Sequence, residues 1–152
     1  MNPETVKSIN ALIEVCKDGE RGLRRCAARA EWKALAEVLG RHAGDCARSA
    51  DEWQTVVLQH GADPERRGSV AGTLHRGWVG VRDALAPAGD AALLDECERE
   101  EDAMLQRYDE VLERAPLPEE WRALVARQLL AQRRNRDELR ALRQAMPTAT
   151  PT

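Results

Sequence analysis

A seven-residue repeat between positions 32 and 60 restricts the fold of this chain more than any other feature. Two series recur at this spacing: Trp32, Leu39, Cys46, Trp53 and His60, and between them Leu35, His42, Ser49 and Val56. Such spacing places both series on one face of an α-helix. Ser49 and Glu52 have the spacing of a capping box, which would divide the helix, but the repeat continues across Ser49. We therefore predict one long amphipathic helix over about 31–60.

The same periodicity predicts three further long helices and one short helix. The long ones are expected at about 3–30, at about 90–114, and from Pro118 to about 146, with Asn2 and Asp90 as N-caps. The short one is expected at about 69–86, where three glycines, with Gly68 directly before them, make it dependent on packing against other elements. Aromatic residues make up only 3% of the chain, far below what a β-sandwich needs.

The lengths of the connections predict how these helices are arranged. Only a few residues join the first helix to the second and the third to the fourth, so each pair should form an antiparallel hairpin. The link over 61–89 is long enough to cross a whole bundle. We predict an all-α, ferritin-like four-helix bundle, with the short extra helix in the long crossover between helices 2 and 3. It should form one domain over 1–146, followed by a disordered, Pro- and Thr-rich tail at 147–152.

Charge and cysteine content restrict the partners and the compartment. A net charge of −3 argues against general binding to nucleic acid or to anionic membranes. No run approaches 18 apolar residues, and the N-terminus lacks the basic and apolar regions of a secretory signal, so we expect a cytoplasmic protein. The four cysteines lack CxxC spacing and fall on apolar stripes, which predicts reduced, buried thiols. A redox-sensing role would instead need an exposed cysteine of low pKa.

Each predicted long helix carries polar residues on its apolar seam. They are Glu20; His42 and Ser49; Glu101; and Gln128, Gln132 and Asn135. In a ferritin-like topology Glu20, His42 and Glu101 would lie within about one turn of each other along the bundle axis. They could hold iron or manganese, or they could belong to a hydrogen-bonded polar layer without a metal.

The ligand count favours the polar layer. Ferritin-like di-iron sites use two Glu-x-x-His pairs, but Leu39 stands where His42 would need a glutamate. The fourth helix has no histidine, and its seam glutamines are poor ligands for iron.

Other charged residues are weaker site candidates. Asp18, Glu98 and Asp102 could pair with Arg24, Arg25 or Arg127, although solvated helix faces are the simpler interpretation. His75 and Arg76 could bind an anion, or could hydrogen-bond the crossover to the bundle. Gly19 and Gly22, with Val15 and Cys26, form a strip of small residues that predicts a closely packed neighbouring helix.

Three motifs carry a family resemblance. They are DGERG at 18–22; GSVAG at 68–72 running into LHRGW at 74–78, which contains His75, Arg76 and Trp78; and CEREED at 97–102, followed by Tyr108. From Asn2 to about Ala145 the chain resembles the bacterial ferritin-like four-helix-bundle proteins grouped as a domain of unknown function. It departs from them at Leu23, where an aromatic residue is common, and at Cys46, where phenylalanine is usual.

The resemblance implies a small cytoplasmic protein without established enzymatic activity. Relatives in the wider ferritin-like group are associated with stress responses. We expect a non-catalytic bundle that acts through protein contacts, including homo-oligomer formation. The alternative is a metal-binding oxidoreductase or storage relative with a reduced ligand set.

Overall fold

Four long α-helices form the framework of the protein. The structure is a computed structural model, and it describes residues 2–68 and 89–147. The helices are α1 (Pro3–Arg29), α2 (Lys33–Gln59), α3 (Asp90–Arg114) and α4 (Glu119–Ala145), and no strand occurs in the described residues. The four predicted long helices are therefore confirmed. The predicted short helix at 69–86 and the tail beyond Pro147 lie outside the described residues.

The helix ends follow local hydrogen bonding. The Asn2 side chain accepts a hydrogen bond from the backbone N–H of Glu4 at 2.9 Å, which confirms the predicted N-cap of α1. Asp90 was expected to cap α3, but its carboxylate instead accepts the backbone N–H groups of Glu31 and Trp32 at 2.9 and 2.8 Å. This contact holds Trp32 in an extended conformation, so α2 begins at Lys33 rather than at 31. From there α2 runs through Ser49 without interruption.

Contacts at the two ends of the bundle fix the helix directions. Thr5 Oγ1 donates to the backbone oxygen of Pro116 at 2.6 Å, so the start of α1 lies beside the end of α3. Asp90, at the start of α3, lies at the opposite end, against the α1–α2 turn. The chain therefore leaves α2 at one end of the bundle and enters α3 at the other.

The packing of the helices agrees with these directions. α1 packs on α2 and α3, and α4 packs on α3 and α2. The fold is thus two antiparallel hairpins joined by one long crossover, which is compatible with the predicted ferritin-like topology.

The interior consists of two apolar clusters with polar residues between them. One cluster surrounds Trp53 and Trp121, and the other surrounds Leu39 and Leu139. All four cysteines are buried and none forms a disulfide, as predicted. Burial of each large apolar side chain contributes roughly 1.5–3 kcal/mol.

Gly19 allows α1 to approach α2 and α3 closely. An ideal Cβ built on Gly19 would lie 3.0 Å from Met104 Sδ and 3.3 Å from Cys46 Sγ, closer than ordinary contacts allow. This confirms the close approach that the small residues of α1 predict. In the described parts of the chain, no helix combines the length and apolar character needed to cross a bilayer.

Candidate functional site

A row of alternating charges runs from the surface to the centre of the bundle. His42, on α2, has both ring nitrogens engaged: Nδ1 lies 2.7 Å from Glu101 Oε1 of α3, and Nε2 lies 2.7 Å from Glu138 Oε1 of α4. Nη1 and Nη2 of Arg41 donate to Oε1 and Oε2 of Glu138, each at 2.9 Å. We call Arg41, Glu138, His42 and Glu101 the charge row.

Exposure changes sharply along the charge row. The side chain of Glu138 is 38% exposed, whereas those of His42 and Glu101 are 0% and 1% exposed. The row therefore connects solvent to a fully buried carboxylate through three hydrogen-bonded contacts.

The hydrogen bonds determine the charge of His42. Ionised carboxylates only accept, so a ring held between two of them must donate from both nitrogens, as an imidazolium does. Burial by itself would lower the pKa of His42, but the hydrogen bonds and charges of Glu101 and Glu138 outweigh burial and raise that pKa overall. The hydrogen bond from Arg41 lowers the pKa of Glu138, whereas burial raises the pKa of Glu101 despite the nearby imidazolium.

One oxygen at the inner end of the charge row lacks a partner. Among the described side chains, Glu101 Oε2 is the buried polar atom without a hydrogen bond. One turn further along α3 lies Met104, whose Sδ accepts a hydrogen bond from Cys46 Sγ at 3.6 Å. Burial raises the pKa of the Cys46 thiol well above its usual range, and the charge of Glu101 raises it further.

A second polar cluster, centred on Gln128, ties together all four helices. Gln128 Oε1 accepts hydrogen bonds from Trp53 Nε1 at 2.6 Å and from the Tyr108 hydroxyl at 2.7 Å. The Tyr108 hydroxyl also lies 3.2 Å from Cys16 Sγ, and Gln128 Nε2 donates to Glu52 at 3.2 Å.

The other two polar seam residues of α4 are also bonded. Asn135 Nδ2 donates to Asp45 at 3.1 Å, and Gln132 is hydrogen-bonded to the Cys46 thiol. The seam glutamines and Asn135 thus form the hydrogen-bonded polar layer that the sequence favours.

The structure brings together two of the three predicted metal ligands. His42 and Glu101 are in contact, but Glu20 is half-buried and pairs with Arg24, four residues along α1, at 3.0 Å. Gly19, not Glu20, occupies the inward position of α1, so the predicted placement of Glu20 on the seam is wrong. Within residues 2–68 and 89–147, no group of three or more His, Cys, Asp or Glu side chains is arranged to hold a metal ion.

The remaining candidates lie at the surface or outside the described residues. Glu98 and Asp102 pair with α4, at 3.1 Å from Arg143 and 2.6 Å from Arg136, rather than with the arginines named from the sequence. Asp18 is half-buried on α1. The motif residues His75, Arg76 and Trp78 lie outside the described residues.

Sequence reasoning missed Arg41 and Glu138. Each directly precedes a seam residue, Arg41 before His42 and Glu138 before Leu139, and Glu138 belongs to a run of charged residues that is typical of an outer face. A usable signal existed, because a buried histidine with one carboxylate partner still has a second nitrogen to satisfy.

A groove of about 800 Å³ separates the outer edges of α2 and α4. Its apolar lining includes Val56, Leu124 and Ala131. Arg127 crosses it to contact Glu52 at 2.5 Å. The lining therefore combines positive, negative and apolar side chains.

Comparison with known proteins gives one family match. No curated protein matches the chain. Residues 4–114, which include α1, α2 and α3, match the family described as a domain of unknown function, DUF2383. This match covers well over half of the 152 residues, so the chain belongs to the DUF2383 family.

Proposed function

We propose that this protein is a non-catalytic, ferritin-like bundle that acts through protein contacts, first of all with further copies of itself. The observation that carries this proposal is the saturation of His42, whose two nitrogens are both held by carboxylates. A histidine in this state has no lone pair for a metal and cannot act as a base. The two hairpins and their single crossover support the ferritin-like assignment.

The interior suits a structural role better than a reactive one. Gln128 satisfies Trp53 and Tyr108 at the same time, and the described cysteines are buried thiols. Buried thiols of raised pKa are poor nucleophiles. A cytoplasmic location and a part in stress responses are the setting that we propose for such a scaffold.

The groove between α2 and α4 is the surface that we propose for self-association. Its lining combines apolar side chains with charges of both signs, such as Arg48 and Asp51. A two-fold interface presents the same patch on both subunits, so a patch with charges of both signs can complement itself. Filling the groove with a second copy would remove Val56 and Leu124 from water.

Sedimentation analysis over a range of protein concentrations tests this proposal. We expect the average mass to rise with concentration in the wild type. Ala131→Arg places a charge in the groove and should leave a monomer, whereas Ala123→Arg makes the same change at an exposed position of α4 outside the groove lining. A wild type that stays monomeric at all concentrations, or equal effects of the two variants, would contradict the proposal.

A second candidate function is binding of iron or manganese with a reduced ligand set. It is favoured by the unpartnered Oε2 of Glu101, a hard oxygen donor in the centre of the bundle. Elemental analysis of untagged protein, repeated after Fe(II) loading in air and desalting, tests it. Stoichiometric metal that is lost in Glu101→Ala would support this candidate, and a blank would remove it.

A further inference from the structure

We propose that Cys26 and Cys97 are a site of reversible oxidation, where a peroxide converts the two thiols into a disulfide bond within one chain. The bond would join the end of α1 to the first half of α3. The proposal does not rest on self-association, because both sulfurs belong to the same chain and neither residue lines the groove between α2 and α4.

The antiparallel packing of α1 against α3 brings the two cysteines face to face. Three pairs in contact define the register of these helices: Cys16 with Tyr108, Gly19 with Met104, and Gly22 with Glu100. From each pair to the next, the position advances by three residues along α1 and goes back by four along α3. One further step of the same size, four residues forward and three back, leads to Cys26 and Cys97, which are both buried.

The two helices are close enough in this region for a disulfide. A Cβ added to Gly22 would stand 3.1 Å from Glu100 Oε1, and one added to Gly19 would stand 3.0 Å from Met104 Sδ. Helices about 8–10 Å apart, with Cα atoms about 2.3 Å from each axis, place directly facing Cα atoms about 3.4–5.4 Å apart. Disulfides join Cα atoms about 4.4–6.8 Å apart, so residues that face each other across this contact are within reach.

The two thiols already contact each other. Both residues belong to the apolar cluster around Leu39 and Leu139, and the Cys97 thiol donates a hydrogen bond to Cys26 Sγ. This hydrogen bond and burial raise the pKa of Cys97 well above its usual range. Cys97 therefore keeps its proton, and when the pair loses one proton the negative charge resides on the Cys26 sulfur.

Cys26 is also the thiol that a small oxidant can reach. It is 4% exposed, whereas the other three cysteines are 0% exposed. A thiol with so little open surface reacts slowly. The pair is therefore suited to prolonged exposure to an oxidant rather than to rapid sensing, for which an exposed cysteine of low pKa would be needed.

The oxidation takes two steps. The Cys26 thiolate attacks one oxygen of hydrogen peroxide; the S–O bond forms as the O–O bond breaks, and hydroxide leaves with the Cys26 proton as water. The Cys97 sulfur then attacks the Cys26 sulfenic acid; the S–S bond forms as the S–O bond breaks, and hydroxide leaves with the Cys97 proton as a second water. Two electrons pass from the two sulfurs to the peroxide, and a dithiol reductant reverses the change.

The bond would close a long loop that contains the whole of α2. A cross-link of this kind restricts the unfolded chain more than the folded one, so it stabilises the fold. We expect the melting temperature of the oxidised protein to rise by about 4–16 °C. Dithiothreitol should reverse the rise.

Peroxide treatment of the folded full-length protein, followed by mass spectrometry, tests the site. After removal of the peroxide with catalase and alkylation in urea, the wild type should carry two alkylated cysteines instead of four and should remain a single chain on a non-reducing gel. Trypsin places each cysteine in a peptide of its own, at 8–17, 26–29, 42–48 and 83–99. A link between the peptides 26–29 and 83–99 identifies the bond.

Four single variants separate this pair from the other thiols. Cys26→Ala and Cys97→Ala should each abolish the link and the rise in melting temperature. Cys16→Ala and Cys46→Ala, which also remove one buried thiol each, are the matched controls and should keep both.

Three results would overturn the proposal. They are four free thiols in folded wild type after a treatment that oxidises the urea-unfolded chain, a link between any other two cysteines or between two chains, and oxidation of Cys26 to a sulfinic acid without a link. Circular dichroism shows whether each variant folds. The peptide link is sought in the wild type, so the test remains decisive even where a variant does not fold.

Discussion

Replacement of His42 by alanine should be among the most damaging single changes in this protein. The imidazole is the hydrogen-bond partner of Glu101, and Glu101 is 1% exposed. His42→Ala would leave both oxygens of the buried Glu101 carboxylate without a hydrogen bond. Removing one partner of a buried pair costs about 3–5 kcal/mol. For a chain of 152 residues this corresponds to a fall in melting temperature of about 6–20 °C.

The comparison with a double variant isolates the cause of this loss. His42→Leu/Glu101→Met removes both charges and fills the same space with apolar side chains, which in other buried pairs is nearly neutral or stabilising. We therefore expect urea denaturation at pH 7 to show a larger loss of stability for His42→Ala than for the double variant. A melting temperature of His42→Ala within about 1 °C of wild type, or a double variant at least as unstable as His42→Ala, would refute the reasoning.

Three other predictions concern pH, thiol reactivity and the second polar cluster. Because the folded protein raises the pKa of His42 above its ordinary 6.5, the stabilisation is complete below that pH and is lost as the pH rises through the folded-state pKa. Urea denaturation at pH 6.5 and 8.0 should therefore show a fall in wild-type stability that the His42→Leu/Glu101→Met variant lacks. Burial raises the pKa of Cys16 to about 12, so a thiol reagent at pH 8 should label the native cysteines far more slowly than the urea-unfolded chain; rapid native labelling would contradict this. Gln128→Leu leaves Trp53 and Tyr108 without their shared acceptor and should cost about 1–3 kcal/mol by chemical denaturation, and an unchanged midpoint would disprove it.

The sequence predicted the helices well because their periodicity is strong and their connections are short. The seven-residue series in α2 remains in one register across Ser49, and the structure retains one helix there. The N-terminus of α2 was misplaced by two residues for a tertiary reason. The carboxylate of Asp90 binds the backbone of Glu31 and Trp32, and no local pattern reveals a partner 58 residues away.

The candidate site was predicted only in part because inward and outward positions lie one residue apart on a helix. Gly19 and Glu20 are neighbours, and the spacing of the apolar residues of α1 allows either of them to face inward. Close packing against Met104 requires the glycine at the inward position. Glu138 was missed for the converse reason. It lies beside the seam rather than on it, and its carboxylate reaches inward to His42 while part of the side chain stays in solvent.

The polar contacts between α2 and α4 restrict how these two helices can change in length. His42 contacts Glu138, Asp45 contacts Asn135, and Glu52 contacts Gln128. From each pair to the next, the position advances along α2 by three and then by seven residues, and it goes back along α4 by the same numbers. Sliding one helix past the other by a single turn would break all three contacts together, and an inserted or deleted residue between them would put the contacts on its two sides out of register. Length changes within the paired segments 42–52 and 128–138 should therefore be tolerated far less than changes in the connection between α2 and α3.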